Sequence, residues 1–293
     1  MHQRSSASAV TVPVMRPRDY LFYLLGSGDD PQIAVSLVAQ QSWPPIQEGC
    51  YEIALLAATE EEALRACKEF LERGSSPHER HKQRQSRHNF HAIALDATWP
   101  TQRFHEVHWL CSHRASPADL QRLKGIADII HVHYLRPAPS AMPAGIRVYQ
   151  WTKEQDMFDF WHTLYAARDN PNLLGLDWTS YATWNPQQLI GRYVSAQAKS
   201  AFQALQHLRN RVRLHQSDRA QEALLVVEGA PTFTLGEYAQ ITSSLEEVLG
   251  CEVAPVLHLT DLHKGCKMKL LIFLRSDGPL YCLQRRDITK FQT

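Results

Sequence analysis

The chain has 293 residues, of which 44% are hydrophobic and 21% charged, with a formal net charge of +1 at neutral pH. That balance describes an ordinary globular protein and gives no electrostatic reason to expect nucleic acid or an anionic membrane as partner. No apolar run reaches the ~20 residues that a membrane-spanning helix needs. The six cysteines (Cys50, Cys67, Cys111, Cys251, Cys266 and Cys282) stand far apart without a C-x-x-C pair, which predicts reduced thiols in a cytoplasmic protein and neither a disulfide frame nor a zinc ribbon.

Residues 1–18 are basic but lack an apolar core, and read as a disordered lead-in, not a signal peptide. Asp19–Leu25, DYLFYLL, has the pattern of a buried strand, followed by the turn Gly26-Ser27-Gly28 and a helical stretch around Ile33–Val38. Strand, glycine turn, helix suits either a plain βα turn or a loop beneath a nucleotide phosphate, although Asp29 and Asp30 would repel the phosphate. Tyr51–Leu56 reads as the next strand and Ala58–Arg73 as a helix opened by Thr59 with Glu62.

Gly74–His91 then breaks the pattern: it is polar, basic and histidine-rich, and predicts a long exposed loop. Arg80, Lys82, Arg84 and Arg87 offer contacts to an acidic protein or to phosphates of nucleic acid. The pairs His78/His81 and His88/His91 have metal-like spacing, but no carboxylate or cysteine completes a closed set, so no metal is assigned.

Phe90–Ala97, Glu106–Cys111 and Ile129–Tyr134 read as strands, with a helix at Ser116–Ala127 between the last two. His131 and His133 alternate with apolar neighbours, as one face of a strand requires. Alternating strands and helices predict a mostly parallel sheet with helices on both sides.

Thr152–Tyr181 holds the pivotal stretch. Met157, Phe158, Trp161, Leu164 and Tyr165 form one apolar helical stripe, Thr152 with Gln155 marks its start, and Asn170-Pro171 ends it. The loop after it carries one acid, Asp177, among leucines and Trp178; this is a turn residue or a placed reactive group. Beyond it, the spacing of Val194, Ala198, Ala201, Leu205, Leu208 and Val212 predicts a helix over Arg192–Val212. Ala223–Glu228 reads as a strand, Thr232–Leu249 as a helix with a capping box at Thr234 and Glu237, and Val253–Leu259, Lys267–Leu274 and Leu280–Leu283 as further strands. These predict an α+β arrangement with a mixed or antiparallel sheet.

The stretch VVEGAPTFTLGEYAQITSSLEEVLG (residues 226–250), with VAPVLHL and KMKLLIFL after it, resembles the opening of the C-terminal domain of the tubulin/FtsZ superfamily. LLGLDWTSYATW is similar to that family's synergy loop, and YEIALLAATEEEAL and GIADIIHVHYL to strands of its N-terminal domain. The resemblance implies a two-domain α/β architecture: a Rossmann-like parallel-sheet domain over 19–150, a central helix and synergy-like loop over 151–181, and an α+β domain over 182–293. In that family GTP sits in a glycine-rich signature loop, and acids of the synergy loop complete hydrolysis on a neighbouring subunit. This chain has only 13 glycines, never three together, and the basic Gly74–His91 loop stands where the signature loop would be. Of the synergy acids Asp177 alone remains, with Gly175 and Ser180 at the other positions.

The resemblance therefore implies a degenerate, non-catalytic filament subunit, cap or scaffold, needing no cofactor and partnered by itself or a tubulin/FtsZ-like relative. Two rivals follow from the same residues. One is a slow GTPase holding GTP at Gly26, Ser27 and Gly28 with Asp177 acting on a neighbour. The other is an adaptor that docks nucleic acid or an acidic protein through the basic loop.

Overall fold

The computed structural model describes residues 51–72, 88–111, 115–135, 137–138, 145–169, 181, 189–214, 220–230, 232–259 and 265–275. The expected elements at Asp19–Leu25, Ile33–Val38 and Leu280–Leu283 lie outside them.

The strands are β1 (Tyr51–Ala57), β2 (His88–Ala94), β3 (Phe104–Cys111), β4 (Ala127–Tyr134), β5 (Arg147–Gln150), β6 (Leu189–Ala198), β7 (Ala220–Gly229), β8 (Glu252–Leu259) and β9 (Cys266–Arg275). The helices are α1 (Glu60–Glu72), α2 (Pro117–Ile126), α3 (Glu154–Asp169), α4 (Ala201–Leu214) and α5 (Leu235–Leu249). All nine strands join one sheet in the order β2-β1-β3-β4-β5-β6-β9-β7-β8. From β2 to β6 every pairing is parallel, as is β7 with β8; β9 runs antiparallel between β6 and β7. The sheet is thus mixed α/β and mostly parallel, and strands from both sides of α3 belong to it.

Because side chains alternate across a strand, the sheet has two buried faces. One carries Ile53 and Leu55 of β1, Tyr149 of β5, Leu224 and Val226 of β7 and Leu271 and Phe273 of β9, packed under Ala66 and Phe70 of α1 and the whole apolar stripe of α3. The other carries Leu56, Val107, Trp109, Ile130, Val132 and Val148, covered by Leu120 and Leu123 of α2. Met157, Phe158, Trp161, Leu164 and Tyr165 are all at most 3% exposed. At about 1.5–3 kcal/mol for each large apolar side chain removed from water, this stripe is enough to hold α3 on the sheet.

Local signals set several boundaries. Thr59 Oγ1 accepts the Glu62 amide at 3.2 Å, opening α1. Ser116 caps α2 by accepting the Asp119 amide at 3.1 Å. Thr234 and Glu237 form a reciprocal capping box at α5, which ends on left-handed Gly250.

Two expectations are corrected. Residues 192–198 are strand, not helix: β6 runs to Ala198, and Ser200 then caps α4 by accepting the Gln203 amide. Val194 and Ala198 lie four apart, a step that keeps one face both in a helix and in a strand, so the helical pattern extended falsely through them. The loop expected over Gly74–His91 is overturned at its far end, where His88 and His91 belong to β2; residues 74–87 lie outside the described residues. Three residues apart on a strand, these two histidines point to opposite faces and cannot share a metal. His88 is buried beside Tyr51 and Tyr165, whereas His91 pairs with Glu52.

Candidate functional site

Polar residues interrupt the apolar face under α3 at two places, the larger on β3 and β4. β3 contributes Glu106 and His108, β4 contributes His131 and His133, and each pair occupies alternate positions on adjacent strands. The parallel register sets His108 beside His131, and His131 beside Arg147 of β5. Tyr51, Tyr149, Trp151 and Tyr181 surround them, and α3 lowers Trp161, Tyr165 and Arg168 onto the group.

Glu106 is the centre and is 0% exposed. Its Oε1 accepts Tyr51 Oη at 2.8 Å and both Arg168 terminal nitrogens at 3.0 Å. Its Oε2 accepts His131 Nε2 at 2.9 Å and the hydroxyls of Tyr165 and Tyr181 at 3.0 Å each. Burial by itself would raise the carboxyl pKa; the Arg168 charge and the imidazole donors outweigh it and hold Glu106 ionised, well below the usual carboxylate range. Burial pushes His108, His131 and His133 below their ordinary values, so all three are neutral.

The proton positions follow from one group that can only donate. Trp151 Nε1 lies 3.0 Å from His133 Nδ1, so that nitrogen accepts and the His133 proton sits on Nε2. His133 Nε2 faces His108 Nδ1 at 2.9 Å and donates to it, leaving the His108 proton on Nε2. His108 Nε2 donates to Tyr165 Oη at 2.5 Å, and Tyr165 donates in turn to Glu106. A second, shorter path runs from Tyr149 Oη to His131 Nδ1 at 2.9 Å, and from His131 Nε2 to Glu106. Every arrow ends on the carboxylate.

This order decides the metal question. One ligand atom each of Glu106, His108 and His131 lies within 4.8 Å of the others, a spacing compatible with a two-histidine, one-carboxylate metal set. A metal would need the lone pair of His108 Nε2, the proton would move to Nδ1, and His133 would have to turn its own proton onto Nδ1 against the Trp151 N–H. Arg168 already balances the charge of Glu106. The residues do not fit a metal.

The network runs along the strands, from Tyr51, the first residue of β1, to His133, the seventh of the eight residues of β4, and Trp151 just after β5. An open cavity of about 340 Å³ beside β2, lined by residues including Glu60, His91, Thr98 and Gln102, touches none of the network.

A second polar cluster holds the middle of α3. Lys269 of β9, 0% exposed as a residue, reaches Asp159 O at 2.9 Å, Asp159 Oδ1 at 3.1 Å, and the side chains of Thr163 and Glu228. Lys267 closes on Asp159 Oδ2 at 2.8 Å. Burial pulls the Lys269 pKa down, the acids opposing it.

The expected site residues Gly26, Ser27, Gly28, Arg80, Lys82, Arg84, Arg87 and Asp177 all lie outside the described residues. The alternation at His131 and His133 marks them as one strand face, which they are; it gives no sign of Glu106, His108 and Arg168 as their partners. The available signal was the doubled motif, E-V-H in β3 and H-V-H in β4: polar residues at alternate, core-facing positions of two largely apolar strands.

No protein-family model and no curated protein sequence matches this chain. Among solved structures it is similar to an FtsZ variant from M. jannaschii, at 16% identity and TM-score 0.39, covering 57% of this chain and 55% of that one. It is similar to CetZ from Methanosaeta thermophila at 12% identity and TM-score 0.43, over 75% of this chain and 86% of that one. CetZ1 from Haloferax volcanii, a GDP-bound monomer, gives 12% identity and TM-score 0.37, over 87% and 76%. The chain spans between 55% and 61% of the length of two M. jannaschii FtsZ structures that it resembles. Likeness at this level assigns no role to any residue of the site.

Proposed function

We propose that this chain works by contact with other protein subunits, as a non-catalytic filament subunit, cap or scaffold partnered by itself or by a tubulin/FtsZ-like relative. The observation that carries the reading is the state of Glu106. The densest cluster of reactive side chains among the described residues is sealed from solvent, and its carboxylate is filled by donors from β1, β4, α3 and Tyr181. A general base must have a lone pair within reach of substrate; this one has none to give, and its work is to fix a helix on a sheet. The sequence resemblance over residues 226–274 supports the choice of partner.

Sedimentation velocity over a wide concentration range, with and without GTP, tests the proposal alongside electron microscopy and a fluorescent-GTP titration. Concentration-dependent assembly without phosphate release is the expected result. A particle that stays monomeric under all conditions overturns it. So does release of phosphate from GTP at a specific rate that climbs with protein concentration.

A further inference from the structure

The two polar clusters hold the same helix at different places and differ in chemistry. The middle of α3 is held through Asp159 and Thr163 to Lys267, Lys269 and Glu228, all acids, amines and a hydroxyl. Its last residues are held through Tyr165 and Arg168, one to His108 and the other to Glu106, while Trp161 packs edge-on against the stack of three imidazoles. We propose that the chain Trp151–His133–His108–Tyr165 is an acid-sensitive latch, closed at neutral pH, that releases the C-terminal end of α3, from Tyr165 onward, from the sheet when its imidazoles take up protons.

The geometry gives the reason. A proton added to His133 must go to Nδ1, where the Trp151 N–H already points, so donor would face donor. A proton added to His108 must go to Nδ1, where His133 already donates. Neither histidine can become charged while the chain stays intact. Only His131 has an adjustable neighbour, since the Tyr149 hydroxyl can turn from donor to acceptor.

The groups facing the stack do not relieve this. Tyr51 from β1, Tyr149 from β5, Tyr165 from α3 and Tyr181 are neutral hydroxyls, and His88 from β2 lies against the Tyr165 ring and brings no anion. Arg147 and Arg168 repel a new positive charge. Among the described residues Glu106 is the one anion facing the stack, and Arg168 already occupies it. His162, on the same helix, bonds Phe70 O at 2.9 Å and stands apart from the chain. Protonation and opening are therefore coupled: the imidazoles regain an ordinary pKa of about 6.5 only once the end of the helix lifts away.

Hydrogen exchange of the intact protein at pH 7.5, 6.5 and 5.5, corrected for intrinsic exchange, reads the latch directly. Protection of the amides of residues 165–169 should fall below about pH 6.5 by roughly tenfold per pH unit for each proton bound on opening. Amides of β7 and β9, which open only with the whole fold, should stay better protected than these at every pH. The discriminating variant is His133→Gln. Glutamine can accept from Trp151 through its carbonyl and donate to His108 through its amide, which preserves the chain and removes one titrating group. It should retain protection at pH 7.5, and its loss on acidification should be shallower by about one proton.

Phe158→Leu serves as control, loosening the packing of α3 without altering the slope. Three results overturn the latch: protection of 165–169 independent of pH, protection of 165–169 equal to that of β7 and β9 at pH 5.5, or a His133→Gln slope equal to that of the unaltered chain. Should His133→Gln not fold, Trp151→Phe frees Nδ1 to take a proton in place and must likewise flatten the slope.

Discussion

Arg168 grips Glu106 with both terminal nitrogens, each 3.0 Å from the same oxygen, and joins the last turn of α3 to the third residue of β3. The guanidinium also lies over the rings of Tyr51, Tyr165 and Tyr181, with its carbon 4.9–5.0 Å from their centroids. Breaking one partner of a buried pair leaves the other charge stranded, whereas removing both spares that penalty. Glu106→Gln and Arg168→Met are therefore each expected to cost about 3–5 kcal/mol. The double variant should cost clearly less than their sum, with a coupling of at least ~1 kcal/mol. Urea unfolding of the four proteins measures it, and additive losses would show that the fork carries no pairwise energy.

Acid should destabilise the whole fold in two stages. The depressed histidines bind fewer protons folded than unfolded, so their contribution is complete above about pH 6.5 and declines as pH falls below it. Glu106 is also depressed, from a reference of 4.5. As an acid held ionised, it contributes stability above that value and loses it as pH falls further toward its folded pKa. Urea midpoints from pH 8 to pH 3 should show both declines, and Glu106→Gln should make the lower one shallower while leaving the upper in place. A lower stage of unchanged slope in Glu106→Gln would assign it to Asp159 and Glu52, whose carboxyls, against the effect of burial, are also held below their ordinary values by lysine charges and by hydrogen bonds respectively.

The committed tautomers also predict indifference to metals. Equilibration with Co(II) or Zn(II) should leave the thermal midpoint unmoved and give no Co(II) d–d absorption assignable to this site. A visible band lost in His108→Gln would show that the Trp151–His133 hydrogen bond yields to a metal, contrary to the order of donors along the chain.

How much of this was legible in the chain depends on the range of the interaction. The α3 stripe and the capping box at Thr234 and Glu237 were plain, because three- and four-residue spacings are local facts. Four-residue β5 is silent in sequence: Arg147–Gln150 is too short for alternation to rise above its surroundings, and only its pairing with β4 and β6 defines it. The misreading at β6 arose where two periodicities share a step of four. Glu106 was invisible as a centre for a different reason, since its donors are separated from it in sequence by 25 to 75 residues. A strand pattern shows that Glu106 faces the core; it does not show that Arg168 and three tyrosines wait there.

Gly191 links the sheet backbone to this network. It lies in β6 between the rings of Tyr149 and Phe273, and an added Cβ would stand 2.9 Å from Tyr149 Cδ1 and 3.0 Å from Phe273 Cε1. Both rings are fully buried, and Tyr149 is also tied through its hydroxyl to His131, so neither can retreat cheaply. Gly191→Ala should cost about 1–3 kcal/mol by overpacking, and displacement of Tyr149 should weaken the His131 arm as well. Gly265→Ala should be at least as damaging, because its Cβ would come within 2.5 Å of the Ala198 carbonyl oxygen, a backbone atom where β6 ends against β9. Gly125, inside α2 with nothing within 4 Å of where a Cβ would stand, gives the contrast. There alanine removes backbone freedom from the unfolded chain and should stabilise by about 0.5–1 kcal/mol. Thermal midpoints falling for the first two variants and rising for the third would confirm that close approach, and not glycine itself, is what β6 requires; a neutral Gly191→Ala would mean that the Tyr149 ring has room the packing denies it.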